Sequence, residues 1–581
     1  MKHLKYAEIL AKNRELSALP AGCGHYRIAL LSNIVVSQLK DILEFMLRRR
    51  GINAVVTLGE YDNIVQDSLR FGEFDAVIVF WETANLIDSL HAVADAMDAG
   101  DLNSLAERFE GEIKLALKNL SRVPLVLFNR FTATAFCRNE LRDGALRKLC
   151  ARLNAALEQN AASHQLLIDL ERIIAMLGLA SVSDFRQFHS SKALYSLDFL
   201  KAYAEHIEPA FRSINGQSKK VLVLDCDGTL WAGVLGEDGE TGIRMNDSTR
   251  EGKIFREVQC ILKGFRRKGV LLAICSKNNP DDVSALLARH SDMVLRGSDF
   301  AAQKINWNDK ATNLRDMARE LNLGLESFVF VDDSAFELGL VAEALPQVLC
   351  VQVPNALSEY PAAIRRLERE FFTLSTTQED LLKTDMYLME RERKSSISEF
   401  ASIDDYLRSL KLIVRVDWNG ANCVNRAAQM TQKTNQFNLT TYRYTESDIH
   451  RMLSNPCWSM ATFSVSDRYG DYGVTGLAII KLDEQRREAT INSYLLSCRV
   501  LGRNLERVVF DYLVDKLMRR GVSTLHGEYI KTGKNHQVAD FFDILGFTRH
   551  TATDGRHGYT LSLGDYRSSG IDYIEVLENA D

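Results

Sequence analysis

The sequence contains no apolar run approaching the ~18 residues of a membrane span. Its start, Met1-Lys-His-Leu-Lys-Tyr-Ala-Glu, lacks the apolar core of a signal segment. The expectation is therefore a cytoplasmic protein with no membrane partner. No lysine-arginine block stands out and the net charge is −6, which argues against nucleic acid or an anionic membrane surface as the main partner. The cysteines, at 23, 137, 150, 226, 260, 275, 350, 423, 457 and 498, include no Cys-x-x-Cys pair. Neither a disulfide framework nor a zinc site is indicated, and most read as small buried hydrophobes. There is also no internal repeat or low-complexity tract. What is present, 46% hydrophobic and 25% charged residues, is ordinary for a soluble protein, and 581 residues exceed what one core can hold, so three or so domains are expected.

The most informative stretch is Val221-Leu-Val-Leu-Asp225-Cys226-Asp227-Gly228-Thr229-Leu230-Trp231, followed by Gly236-Glu-Asp-Gly239. Its apolar run predicts a buried parallel strand that delivers two carboxylates onto a glycine turn at its carboxyl end, where open α/β sheets place their chemistry. Val270 to Ser276 is a second apolar strand, ending in Ser276-Lys277-Asn278-Asn279. Lys310 opens a helical stretch, and Ser327 to Val331 is a third strand, ending in Asp332-Asp333. Carboxylates, Ser, Lys and carboxylates in that order resemble the haloacid dehalogenase superfamily of phosphotransferases. The resemblance implies Asp225 as nucleophile, Asp227 as general acid/base, and Ser276 and Lys310 as phosphate holders. It also implies a Mg2+ site built from Asp225, Asp227, Asp332 and Asp333, with Asp227 contributing its backbone carbonyl.

Three α/β blocks are expected. In residues 1–215, strand signals at Tyr26–Ser32, Ile52–Thr57, Phe74–Phe80 and Val123–Phe128 alternate with helical stretches, a doubly wound, flavodoxin-like pattern. Ser32 after a strand invites comparison with SGNH-type serine hydrolases. However, the late segment Asp184-Phe-Arg-Gln-Phe-His189 has the wrong spacing and no Gly-Asp-Ser is present, so this block reads as a non-hydrolytic scaffold or docking domain. Residues 218–375 form the phosphatase-like block, with a Rossmann-like core and Trp231 to Gly239 as a flap. The charged segment 376–400 reads as a solvated helix or linker.

The third block, 401–570, contains Gln432-Lys-Thr-Asn-Gln-Phe-Asn-Leu-Thr-Thr441, then Asp467-Arg-Tyr-Gly-Asp-Tyr-Gly473 feeding a strand. A further strand runs into Ser497-Cys498-Arg499-Val-Leu-Gly502-Arg503-Asn504 and a helix. A strand, an Arg-x-x-Gly turn and a helix N-terminus form a nest of backbone amides suited to a pyrophosphate. With Asn535 to Phe547, this resembles the GNAT acyltransferase fold. It implies a cofactor site at Arg499, Gly502, Arg503, Asn504 and Asn535, although Asn504 replaces the usual second glycine.

The blocks in this order, with Ile-Cys-Ser-Lys-Asn and Gln-Lys-Thr-Asn-Gln-Phe-Asn, resemble the FkbH-like proteins of haloacid dehalogenase subfamily IIIC across essentially the whole chain. That resemblance implies dephosphorylation of 1,3-bisphosphoglycerate or another acyl phosphate, with the glyceryl group loaded through a thioester onto the phosphopantetheine arm of an acyl carrier protein in polyketide-type biosynthesis. Cys498, beside Arg499 and a helix N-terminus, and Cys226, between the carboxylates, are the candidate thiols. Direct transfer without an enzyme thioester is the third possibility. Two other functions fit the same residues: a Mg2+-dependent phosphomonoesterase fused to a GNAT-type acyltransferase acting on an amine or sugar, and a carrier-docking scaffold.

Overall fold

A computed structural model describes residues 4–17, 25–137, 143–374, 386, 387, 389, 403–497, 500–553 and 555–578. The architecture is multi-domain α/β, as the alternation of strand and helix signals predicts. The chain divides into two compact units, Met1–Asn215 and Gly216–Asp581. No helix among the described residues is long and apolar enough to cross a membrane.

The first unit holds a five-stranded parallel sheet of β1 (Tyr26–Ser32), β2 (Ala54–Leu58), β3 (Ala76–Phe80), β4 (Leu125–Asn129) and β5 (Gln165–Ile168), in the order β2-β1-β3-β4-β5. Helices between successive strands cover it, so β3 and β4 are buried at every residue and read as continuous apolar runs. β5 has no counterpart in the sequence reading because its four residues are too few to show a period.

The second unit carries two sheets. One is parallel, of β6 (Val221–Leu224), β7 (Leu271–Ser276), β8 (Phe300–Ile305), β9 (Phe328–Asp332) and β10 (Leu349–Gln352), ordered β10-β9-β6-β7-β8. Since β6 lies between β9 and β7, the carboxyl ends of the three motif-bearing strands are adjacent. The stretch read as a flap runs into the helix Leu235–Gly242, interrupted at Gly239 by a φ of 66°.

The third sheet is mixed, built from β11 (Leu412–Trp418), β12 (Phe437–Asn438), β13 (Trp458–Asp467), β14 (Gly470–Asp483), β15 (Glu488–Leu496), β16 (Thr524–Ile530), β17 (Thr548–Thr553), β18 (Arg556–Ser562) and β19 (Ile574–Glu578). β15 and β16 run parallel but pair only from Glu488↔Thr524 to Thr490↔His526, then part. Into the opening goes β12, antiparallel to the end of β15, with Phe437 opposite Leu496 and Asn438 opposite Leu495. Most of the charged segment 376–400 lies outside the described residues. Within it, Met386 and Tyr387 are helical and buried rather than solvated.

Candidate phosphoryl-transfer site and the third sheet

Asp225 leaves the end of β6 with its amide donating to Val331 O of β9 at 3.0 Å, which fixes the two acidic strand ends side by side. Lys310, the first residue of the helix Lys310–Glu320, is 4% exposed and points its ammonium between them. Nζ lies 3.0 Å from Asp225 Oδ1 and 2.6 Å from Asp332 Oδ2. Asp309 starts that helix by accepting the Thr312 amide at 2.7 Å, so the helix begins where Lys310 must be aimed. Asp332 also accepts the Ser334 amide at 2.9 Å.

Carboxylate oxygens of Asp225, Asp332 and Asp333 all lie within 4.8 Å of one another. Three carboxylates facing one ammonium leave excess negative charge. Burial pushes the Asp225 carboxyl up to about 6; Lys310 opposes that and Asp332 reinforces it. Asp333 is raised by burial and by Asp332. Burial works against the Lys310 ammonium, but Asp225 and Asp332 more than offset it and hold its pKa above the ordinary value. A compact set of hard oxygen donors with uncompensated charge fits Mg2+.

The carboxylate of Asp227, whose expected metal contact is through the backbone carbonyl, does not join this cluster. Oδ1 accepts from Trp231 Nε1 at 2.8 Å and from the Leu235 amide at 3.0 Å, and Oδ2 accepts from Asn278 Nδ2 at 2.8 Å. These donors turn it toward the flap and fix its orientation, and they account for the tryptophan in the motif. Ser276, 1% exposed, lies beside Asp225 and within 3.4 Å of Asn278 Nδ2. Gly228 has a φ of 66°, and a Cβ there would stand 2.5 Å from Asp333 Oδ2, so the close approach of the second acidic loop requires glycine. Two positioning residues escaped the sequence reading. Gln259 donates to Leu230 O at 2.8 Å, and Tyr360 OH donates to Thr229 O at 3.1 Å, holding the turn after Asp227 from behind. Neither belongs to a local motif, and only the packing of distant helices reveals them.

Cys226 is fully buried, on the face of β6 that carries Leu222 and Leu224, packed with Trp231. Burial, with Asp225 beside it, drives its thiol pKa well above the ordinary value, so the site disfavours a thiolate there. Cys498 and Arg499 lie outside the described residues.

Of the other expected cofactor residues of the third sheet, Arg503, Asn504 and Asn535 have side-chain partners within the fold. Arg503 is fully buried, its Nη1 3.3 Å from Asp467 Oδ2 and its guanidinium 4.5 Å from the Tyr472 ring centre. It is thereby committed to the core and does not face a pyrophosphate. Asp467 in turn accepts from Tyr472 OH at 2.9 Å and from the Tyr469 amide at 2.8 Å, which explains the Asp-Arg-Tyr-Gly-Asp-Tyr-Gly turn. Gly502 and Asn504 both take left-handed backbone, φ 76° and 63°, and Asn504 Nδ2 donates to Tyr573 OH at 2.7 Å. Asn535 is fully buried. Its Oδ1 accepts the Thr532 amide at 2.8 Å, and its Nδ2 donates to Asn438 O and Ile530 O, both at 2.9 Å. It is a lock across the β15–β16 opening, not a cofactor ligand.

The Gln432–Thr441 segment forms the wedge in that opening. Leu439 N donates to Tyr494 O at 3.2 Å, and Leu439 O accepts from Ile530 N at 2.9 Å, so the segment satisfies the backbone groups that the parting strands leave unpaired. Asn438 donates to Thr434 O at 3.1 Å and accepts the Thr441 amide at 2.8 Å. Other polar side chains of the segment tie it to its surroundings: Gln432 Nε2 donates to Tyr444 O at 3.2 Å, Thr440 Oγ1 donates to Asn492 O at 2.9 Å, and Asn435 Oδ1 accepts from Arg443 Nη2 at 2.8 Å.

In the first unit, Ser32 Oγ donates to Ile34 O at 2.8 Å. Asp184 caps the helix Phe185–Ser191 by accepting the Gln187 amide at 3.1 Å. The buried partners of this sheet end are Asn33, which accepts the Glu82 amide at 2.7 Å, and Tyr195, whose OH donates to Glu82 Oε2 at 2.7 Å.

The N-terminal part of the protein BF1531 from Bacteroides fragilis, which contains a phosphatase domain and was crystallised complexed with Mg, is similar to this chain. Identity is 25% and the TM-score 0.55, over 64% of this chain and 100% of that one. The ribosomal-protein-S18-alanine N-acetyltransferase from Escherichia coli matches 27% of this chain and 99% of its own, at 17% identity and a TM-score of 0.21. A spermidine/spermine N-acetyltransferase from Vibrio cholerae matches 27% and 96%, at 11% and 0.21. No protein-family model matches the chain, and no curated protein does.

Proposed function

We propose that the chain is a haloacid dehalogenase-type, Mg2+-dependent phosphatase/acyltransferase of the FkbH-like kind. It would release phosphate from an acyl phosphate, 1,3-bisphosphoglycerate being the first candidate, and pass the acyl group to the pantetheine thiol of a carrier protein. The observation that carries this reading is the convergence of Asp225, Asp332, Asp333 and Lys310 at adjacent strand ends. The Mg-bound phosphatase-domain neighbour supports the metal.

In this reading Asp225 Oδ attacks phosphorus and the bond from phosphorus to the acyl oxygen breaks, leaving an aspartyl phosphate and a carboxylate. Transfer is the competing outcome: a thiolate attacks the carbonyl carbon, the bond from carbon to the phosphate oxygen breaks, and inorganic phosphate leaves with the electron pair. Ser276 and Lys310 hold phosphoryl oxygens in either case, and Asp227, oriented by Trp231 and Asn278, manages the proton of the attacking water or thiol. Bound Mg2+ would supply charge neutralisation at the phosphate, held by Asp225, Asp332 and Asp333.

A second reading, a phosphomonoesterase whose third domain acts separately, is favoured by the burial of Cys226. Incubation with 1,3-bisphosphoglycerate and candidate carrier proteins, followed by intact-mass analysis, tests the choice. A carrier gaining a glyceryl mass supports the first reading, and phosphate release with no carrier adduct supports the second.

A further inference from the structure

Asn278 lies two residues past the end of β7 and is only 5% exposed. Its neighbour Asn279 starts the helix Pro280–Arg289 by accepting the Asp281 amide at 3.1 Å, so the loop between strand and helix is short and Asn278 turns back over the strand end. Asn278 Nδ2 donates to Asp227 Oδ2 at 2.8 Å and reaches Ser276 Oγ at 3.4 Å, the second contact being the longer and weaker. A carboxylate only accepts, so it is the nitrogen of the amide that faces Asp227.

The two oxygens of Asp227 are thereby made unequal. Oδ1 takes two donors, Trp231 Nε1 at 2.8 Å and the Leu235 amide at 3.0 Å, and Trp231 is fully buried. Oδ1 is therefore the anchored oxygen. Oδ2 takes its donor from the strand end that carries Ser276, and Ser276 lies beside Asp225. Asn278 thus draws Oδ2 toward the pocket of the nucleophile and leaves it lone-pair capacity for a proton.

We infer that Asn278 is a positioning residue that aims Asp227 Oδ2 at the water hydrolysing the aspartyl phosphate, and that it serves this half of the reaction alone when the substrate is an acyl phosphate. The inference rests on the phosphatase reading above. In the first half, Asp225 bonds to phosphorus and the bond from phosphorus to the acyl oxygen breaks. The leaving group is a carboxylate, a weak base that departs with the electron pair and needs no proton. In the second half, water bonds to phosphorus, the bond from phosphorus to the Asp225 oxygen breaks, and a water proton passes to Asp227. Water attacks well only if that proton is taken as it approaches. The second half alone depends on where Oδ2 points, and displacing such a group by about 1 Å costs about a hundredfold in rate.

The test is rapid quench of the full chain with 1,3-bisphosphoglycerate and Mg2+, without carrier protein, followed by intact-mass analysis of the enzyme. Asn278→Ala removes the amide, and Asn278→Leu replaces it with an apolar side chain of similar volume. In both, a phosphoryl adduct should form no more slowly than the wild type releases phosphate, while its decay slows about a hundredfold. Asp225→Asn should give no adduct. A loss of structure would slow both phases together, whereas adduct formation at the wild-type rate shows the site intact. Decay unchanged in both variants, both phases slowed equally, or adduct formation lost in both overturns the inference. A wild type that yields neither adduct nor phosphate overturns the phosphatase reading as well.

Discussion

A single ammonium, Lys310 Nζ, stands 2.6 Å from Asp332 Oδ2 and 3.0 Å from Asp225 Oδ1, joining the carboxyl ends of two neighbouring strands. Removing one side of this arrangement should affect chemistry alone, and removing the other should affect folding as well. Asp225→Asn is nearly isosteric and, with no carrier protein present, should reduce phosphate release by roughly a thousandfold or more while the protein stays folded. Lys310→Met leaves two buried carboxylates facing each other and should cost about 3–5 kcal/mol of stability as well as activity. Phosphate-release kinetics with circular dichroism on both variants check this, and near-wild-type turnover by Asp225→Asn would remove it from the nucleophile's role.

Metal dependence follows from the donor set. Chelation should stop phosphate release, and Ca2+ should restore it poorly, because a tight three-carboxylate site suits an ion that prefers octahedral geometry at short distance. Turnover measured in excess chelator, then with each cation added back, decides the matter.

Gly228→Ala is expected to act through Asp333. The added Cβ would stand 2.5 Å from Asp333 Oδ2, on a left-handed backbone that also disfavours alanine. The Mg2+ concentration for half-maximal phosphate release should rise about 10–100-fold, and an unchanged Mg2+ dependence would show that Asp333 does not hold the ion.

Peptide mapping after brief exposure to an acyl phosphate distinguishes the thiols. Cys226→Ala should cost about 1 kcal/mol, the loss of a small buried group, and leave acyl loading intact. If Cys498 carries the acyl group, Cys498→Ala abolishes both enzyme adduct and carrier loading. An adduct confined to the Cys226 peptide reverses this assignment, and no adduct points to direct transfer. Ser32→Ala should leave loading unchanged, its hydroxyl being engaged with Ile34 O.

The first unit should lose stability as pH rises from acid to neutral. Burial pushes the Glu82 carboxyl from 4.5 up to about 7, with Tyr195 and the Ala84 amide opposing. The folded state therefore holds this proton more tightly than the unfolded one. Its contribution is fully present below pH 4.5 and is lost as pH passes 7, on the order of 3 kcal/mol. Glu82→Gln should flatten that part of the slope, seen as hydrogen exchange of the β3 amides at pH 5 and pH 8. An identical pH dependence in the variant would show that Glu82 does not titrate in this window.

Much of the phosphate centre was legible in the chain alone. Apolar runs long enough to be buried strands end in Asp225, Ser276 and Asp332, and in a parallel sheet such ends share one pole by construction. The left-handed turn at Asn504 was legible too, since asparagine is the residue after glycine that tolerates it. The sequence could not determine where side chains would find partners across long separations. Arg503 reads as a phosphate ligand until Asp467 and Tyr472, brought beside it by the β13–β14 hairpin, take up its charge. Gln432–Thr441 reads as a polar loop until the parting of β15 and β16 creates unpaired backbone groups for it to satisfy. Asn535 reads as a cofactor residue until Asn438 supplies the carbonyl it bonds. Local pattern determined which residues end each strand. Which polar groups remain available for a ligand was decided only by tertiary structure, because a buried donor or acceptor takes whatever partner packing brings within reach.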